Sequence, residues 1–253
     1  MTRPLLKAYY GDIFFEFLVH KSPRDSIVIL SGFPSSNNYK NEMNFLFEKG
    51  YNVFYPRYKG NYQSRGFFLN QNIAKEIYNF INELKKGEAK SLWDMEIKRF
   101  KIKNVILFAG SFGGAVACGV SALDKNISKL VLFAPVWDFN DYENLKGSQD
   151  LDKLTIFVKR AYSNLYRIKF TSFSKAIFKS KECFPNIYLR KFRENKTKIL
   201  IFHDPKDTSV PISHTLKMKK KYPFELIKHS KGHTWNVALI NKNWKKISKF
   251  LKN

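Results

Sequence analysis

Asn104-Val-Ile-Leu-Phe-Ala-Gly-Ser111-Phe-Gly-Gly-Ala-Val-Ala-Cys118 decides how the rest of the chain is read. Val105 to Ala109 are consecutive apolar residues, the mark of a strand buried on both faces. Gly110 interrupts the run, Ser111 follows, and Gly113-Gly114 open a segment of small residues that fits a closely packed helix. Strand, sharp turn and helix with one hydroxyl at the apex predict a nucleophile elbow, which presents a serine at the carboxyl end of a sheet. Its neighbours must be small, because the turn brings the helix start hard against the strand. The N–H of Phe112 would then face a developing oxyanion, assisted by the helix N-terminus. In the G-x-S-x-G pattern the first position is Ala109, the smallest side chain that could replace glycine. No Gly-Lys-Ser/Thr closes the stretch, so it is not a P-loop, and the dinucleotide fingerprint is missing too.

Outward from this stretch the chain alternates. Ser26 to Ser31, Tyr51 to Tyr55, Lys129 to Pro135 and Lys198 to Asp204 are further apolar runs that read as buried strands. Lys7 to Tyr10 and Ile13 to Val19 flank the turn signal Gly11-Asp12 and predict a strand pair. Helices are predicted over 38–49, with Met43, Leu46 and Phe47 inward, and over the spacing Ile73, Ile77, Phe80, Ile81, Leu84. A further helix is expected over 88–103, and another from about Pro211. A strand follows at Phe224 to His229, and the last helix, from about Trp235, carries Val237, Ile240, Trp244, Ile247 and Leu251 on one face. Such alternation predicts an α/β fold with a mostly parallel sheet covered on both faces. One domain spanning 1–253, with a cap-like insertion at about 138–196, accounts for the whole pattern.

Composition narrows the setting. Two cysteines, Cys118 and Cys183, cannot supply a disulfide framework and suit a reducing compartment. Ile13 to Val19 is too short for a signal segment and is broken by Glu16, and no apolar run approaches the roughly 18 residues of a membrane span. A cytoplasmic location is expected. The formal net charge of +24 leaves nucleic acid, an anionic membrane or anionic substrates open as partners, beside a general abundance of lysine. From Lys153 to Lys198 there are 13 Lys or Arg against Glu182 and Glu194 alone. The same segment carries a helical stripe of Leu154, Phe157, Val158, Ala161, Tyr162 and Leu165, followed by Phe170, Phe173, Phe178, Phe184, Tyr188 and Phe192. It reads as an aromatic lid with a basic outer face.

A nucleophilic serine needs a base, and the base needs an orienting carboxylate. In open parallel-sheet hydrolases these follow in the order Ser, Asp or Glu, His. Asp204 and Asp207 both lie past a strand end; Asp207 sits in the loop proper and is favoured, while Asp204 is placed to cap the turn before Pro205. His233 follows Gly232 in the loop before the last helix, whereas His20 precedes the serine, His203 lies within a strand and His214 on a helix. His233 is therefore the expected base. A second oxyanion donor is expected from the N–H of Phe33, in the turn after the Ser26 to Ser31 strand. No His, Cys and Asp cluster has metal-ligand spacing, and no cofactor is implied.

With these pieces in order, the chain resembles the α/β-hydrolase superfamily and, within it, the catalytic domain of the prolyl oligopeptidase family. The likeness is carried by Ser31-Gly32-Phe33-Pro34, Pro56 to Gly60 with Ser64-Arg-Gly66, Gly110 to Gly114, His203 to Asp207 through Val210-Pro211, and Gly232-His233. It runs from about residue 26 to the C-terminus and is weakest over 138–196. It implies Ser111 as nucleophile, Asp207 as acid and His233 as base. Ser31 stands where the family's oxyanion turn has His, and Asp204 replaces the Gly of the usual His-Gly. Large members carry a propeller ahead of this domain, and only about 25 residues precede the first core strand here. The expectation is hydrolysis of an ester or thioester of a small acyl substrate, anionic in character if the basic lid selects it. A small peptidase or acyltransferase on the same residues, and a non-catalytic basic scaffold, are the alternatives.

Overall fold

The computed structural model describes residues 4–36, 38–139, 150–184 and 189–252. Among these residues ten strands form: β1 (Leu6–Tyr10), β2 (Ile13–Leu18), β3 (Arg24–Leu30), β4 (Asn52–Pro56), β5 (Glu88–Lys90), β6 (Ile97–Arg99), β7 (Ile102–Gly110), β8 (Lys129–Phe133), β9 (Lys198–His203) and β10 (Glu225–Lys228). Eight of them make one sheet in the order β1-β2-β4-β3-β7-β8-β9-β10. β1 and β2 are antiparallel, and β2 pairs antiparallel with β4; every other pairing in this sheet is parallel. The Gly11-Asp12 turn joins the expected strand pair, with Tyr10 opposite Ile13.

β7 shows why its sequence reads as a continuous apolar run. Val105, Leu107 and Ala109 enter the core on one face, under α2 (Ile73–Leu84) and α3 (Phe112–Leu123). Ile106 and Phe108 enter the core on the other, with Met43, Leu46 and Phe47 of α1 (Lys40–Glu48). A strand with helices on both sides has no polar face, so alternation disappears. Between β8 and β9 lie α4 (Leu151–Ala161), α5 (Phe173–Ile177) and α6 (Leu189–Glu194). After β9 come α7 (Ile212–Lys219), α8 (Val237–Lys242) and α9 (Trp244–Lys252).

Three expectations are corrected. Residues 88–103 do not form a helix; β5 and β6 pair as an antiparallel hairpin, with Glu88 opposite Arg99. Ser91 N–H closes its loop on Glu96 O at 2.8 Å, and Met95 takes a positive φ of 59° inside it. Of Leu92, Met95, Ile97 and Phe100, whose partial period suggested the helix, only Phe100 is buried. The single last helix is two, α8 and α9, divided at Asn243. In the lid stripe, Leu154 and Val158 are buried, whereas Phe157, Ala161 and Tyr162 are exposed. Tyr188 of the aromatic series lies outside the described residues.

Candidate active site

Ser111 follows the last residue of β7 and precedes α3, with φ 53° and ψ −122°. That backbone costs a residue bearing a Cβ about 1–3 kcal/mol and persists only where its surroundings fix it. Here Ser111 N–H donates to Phe133 O at 2.9 Å, and Ser111 O accepts from Gly114 N–H at 2.9 Å and Val136 N–H at 3.1 Å. A Cβ on Gly110 would fall 2.5 Å from Trp235 Nε1, and one on Gly114 2.5 Å from Pro135 Cβ. A Cβ on Gly113 would collide with the Leu30 and Ser31 carbonyls. The small residues thus answer three close approaches: from the last loop, from the segment after β8 and from the end of β3.

Asp207 and His233 come together across the loops after β9 and β10. Asp207 Oδ2 lies 2.8 Å from His233 Nδ1, and its Oδ1 accepts from Ser209 N–H at 2.8 Å and Val210 N–H at 2.9 Å. Burial pushes the Asp207 carboxyl up, but the hydrogen bond from His233 and those from the two backbone N–H groups leave it below the ordinary carboxylate range. Asp204 has another task. Its Oδ1 accepts from Lys206 N–H at 2.8 Å and its Oδ2 from Gly232 N–H at 2.6 Å, which ties down the loop that carries His233. Gly232 turns that loop with φ 66°. His203 is fully buried, bonded to Thr215 Oγ1 at 2.9 Å and Val210 O at 2.8 Å, and burial lowers its proton affinity.

Ser111 and His233 line one cavity of about 560 Å³. No hydrogen bond among the described residues joins Ser111 Oγ to the imidazole, a contact that hydrolases often close only around substrate. Gly32 brings the turn after β3 against the serine, since a Cβ there would lie 3.3 Å from Ser111 Cβ. The backbone N–H groups of Phe33 and Phe112 make no hydrogen bond to other described residues, and the two rings meet edge-on at 6.2 Å.

The sequence reading overlooked what holds this turn. Tyr58 Oη donates to Ser31 O at 3.0 Å, Tyr62 Oη donates to Ser35 O at 2.7 Å, and Ser35 N–H donates to Tyr166 Oη at 2.8 Å. Tyr58 and Tyr62 lie in or just past the quoted Pro56 to Gly60 motif, but nothing in a motif says which carbonyl a phenol will reach. Also overlooked were Tyr39, Glu42 and Trp235, all of which line the cavity. Among the described residues no group of three or more His, Cys, Asp or Glu is placed to hold a metal ion.

The sheet order, the elbow after its central strand and the two loops beyond β9 and β10 define the α/β-hydrolase fold. Solved structures of that fold superpose over nearly the whole chain. An esterase from Pyrococcus furiosus is similar at 19% identity and a TM-score of 0.65, covering 98% of this chain and 89% of its own. An esterase from Exiguobacterium antarcticum shares 21% identity over 98% of this chain and 99% of its own, with a TM-score of 0.58. A soluble variant of monoglyceride lipase from Saccharomyces cerevisiae shares 14% over 98% and 95%, with a TM-score of 0.59. No family model and no curated protein matches the chain by sequence.

Proposed function

We propose that the protein is a serine hydrolase of the carboxylesterase type, with Ser111 as nucleophile, His233 as general base and Asp207 as the orienting acid. The observation that carries this reading is the 2.8 Å bond between Asp207 Oδ2 and His233 Nδ1, made beside a cavity that His233 shares with a positive-φ serine. In the proposed reaction Ser111 Oγ bonds to the ester carbonyl carbon while His233 Nε2 takes its proton. The tetrahedral oxyanion is held by the Phe33 and Phe112 N–H groups. Collapse breaks the carbon–oxygen bond to the alcohol, and His233 returns the proton to that leaving oxygen. Water, deprotonated by the same imidazole, then releases the acid and regenerates Ser111.

The esterase and lipase neighbours support ester over peptide cleavage, so the prolyl oligopeptidase likeness is retained for its motifs rather than its substrate. The segment between β8 and β9 acts as a cap in this reading: Leu151, Leu154 and Phe157 of α4 and Phe173 of α5 line the cavity. No described Lys or Arg lines it, so the basic surface is assigned to approach rather than binding. Cys118 and Cys183, both fully buried and not joined in a disulfide, support a reducing, cytoplasmic setting. A fluorophosphonate probe should label the wild-type chain at Ser111 and fail to label Ser111→Ala. Labelling of the variant, or none of the wild type, would return the protein to a non-catalytic scaffold.

A further inference from the structure

The cavity has two chemically different ends, and Ser111 lies between them. Phe112, on one side of the serine, packs in an aromatic group with Phe139 at 6.0 Å and Phe173 at 6.1 Å. Gly110, on the other side, abuts Trp235, which stacks on Phe133 at 4.7 Å and meets Tyr39 at 4.8 Å. Glu42 lines this second end from the first turn of α1 and is only 6% exposed. Its Oε1 accepts from Val237 N–H at 2.9 Å, and the carboxylate's other donor is Glu42's own backbone N–H. Among the described residues no lysine or arginine lines the cavity.

A carboxylate in that position is out of balance. Burial raises its proton affinity, the hydrogen bonds from Val237 N–H and its own N–H oppose that, and no neighbouring cation contributes. A buried carboxylate is kept ionised by a cation or by several donors, and this one has two backbone N–H donors and no cation. We propose that Glu42, beside the Tyr39 and Trp235 rings, recognises an ammonium group on the alcohol half of an ester whose acyl half lies against Phe112, Phe139 and Phe173. The assignment rests on the hydrolase reading for the word ester, and on the cavity alone for the cation. A carboxylate supplies the charge and aromatic rings supply the cation–π surface that ammonium groups favour. A cavity of 560 Å³ is of ordinary size for a small ligand.

Hexanoylcholine and 3,3-dimethylbutyl hexanoate share an acyl chain and differ only in a charged nitrogen against a neutral carbon. The expected result is a kcat/KM about tenfold higher for the choline ester, a factor within reach of one carboxylate and an aromatic wall. Glu42→Gln keeps an acceptor for Val237 N–H, so it should fold and bring the choline-to-neutral ratio of kcat/KM from about ten down to about one. Equal rates in the wild type, or a variant that slows both esters alike, would make Glu42 a brace for α8 and overturn the proposal. Calorimetric titration with choline and with 3,3-dimethyl-1-butanol separates the two readings. Glu42-dependent choline binding without cleavage of either ester would keep the recognition site and sink the hydrolase. Cleavage of both esters without choline preference or binding would sink the recognition site alone, and neither cleavage nor binding would sink both.

Discussion

Asp207→Asn should act almost entirely through His233. The amide oxygen can still accept from Ser209 and Val210 N–H, so the loop should keep its shape. The amide nitrogen, however, would donate to Nδ1 and force the imidazole into the tautomer that cannot accept from Ser111. Loss of kcat on a p-nitrophenyl ester should be on the order of 10^4-fold. Asp204→Asn removes one acceptor, that for Gly232 N–H, and should cost about tenfold or less. If Asp204→Asn were the more damaging, the acid would have been assigned to the wrong carboxylate. The different partners of the two aspartates were legible because each one's distance from its strand end decides what it can reach. Glu42 was not legible: a carboxylate in the first turn of a helix reads as solvated, and only the closed fold shows that α8 covers it.

At the scale of elements, α2 repays closer thought. Its apolar positions Ile73, Ile77, Phe80, Ile81 and Leu84 are buried as their spacing predicts, and Asn72 caps it by accepting from Lys75 N–H at 3.0 Å. The same face buries Glu76, whose carboxyl is pushed up to about 7, first by burial and then by Asp12, against a partial offset from Lys59. In the unfolded chain this group loses its proton near 4.5, so between 4.5 and 7 the folded state binds the extra proton. Its contribution is therefore full below 4.5 and is lost as pH rises through 7. Glu76→Gln should remove that slope, matching the wild type near pH 4.5 and exceeding it at pH 8 by about 2–3 kcal/mol in urea unfolding. Parallel wild-type and variant curves would rule the account out. Elements were read well where burial repeats at a fixed period, and badly over 88–99. There, Leu92, Met95, Ile97 and Phe100 are only partly periodic, and Phe100 alone reaches the core.

The whole molecule sets a net charge of +24 around a cavity that no described lysine or arginine lines and that holds the buried carboxylate of Glu42. Range separates the two. Surface charges act on a substrate during approach and are screened beyond about 10 Å at 0.1 M salt, whereas a desolvated contact inside the cavity is screened far less. Not every basic residue of 153–198 belongs to that outer field. Arg167 donates from Nε to Gly66 O at 3.1 Å, from Nη1 to Tyr62 O at 3.2 Å and from Nη2 to Ser64 O, so it braces the segment against the β4–α2 loop. Lys169 Nζ lies 3.7 Å from the centroid of the Phe67 ring. Arg160, Lys175 and Lys181 are exposed and are the side chains to reverse. In the wild type, raising salt should lower kcat/KM for an anionic ester such as a hemisuccinate, leave a neutral ester unchanged and raise it for the choline ester, whose approach the surface opposes. Changing Arg160, Lys175 and Lys181 to Glu should shrink both salt slopes together without altering the choline preference measured at high salt. A triple variant that abolished that preference would place cation selection on the surface, and one that left every slope unchanged would deny the basic segment any part in steering.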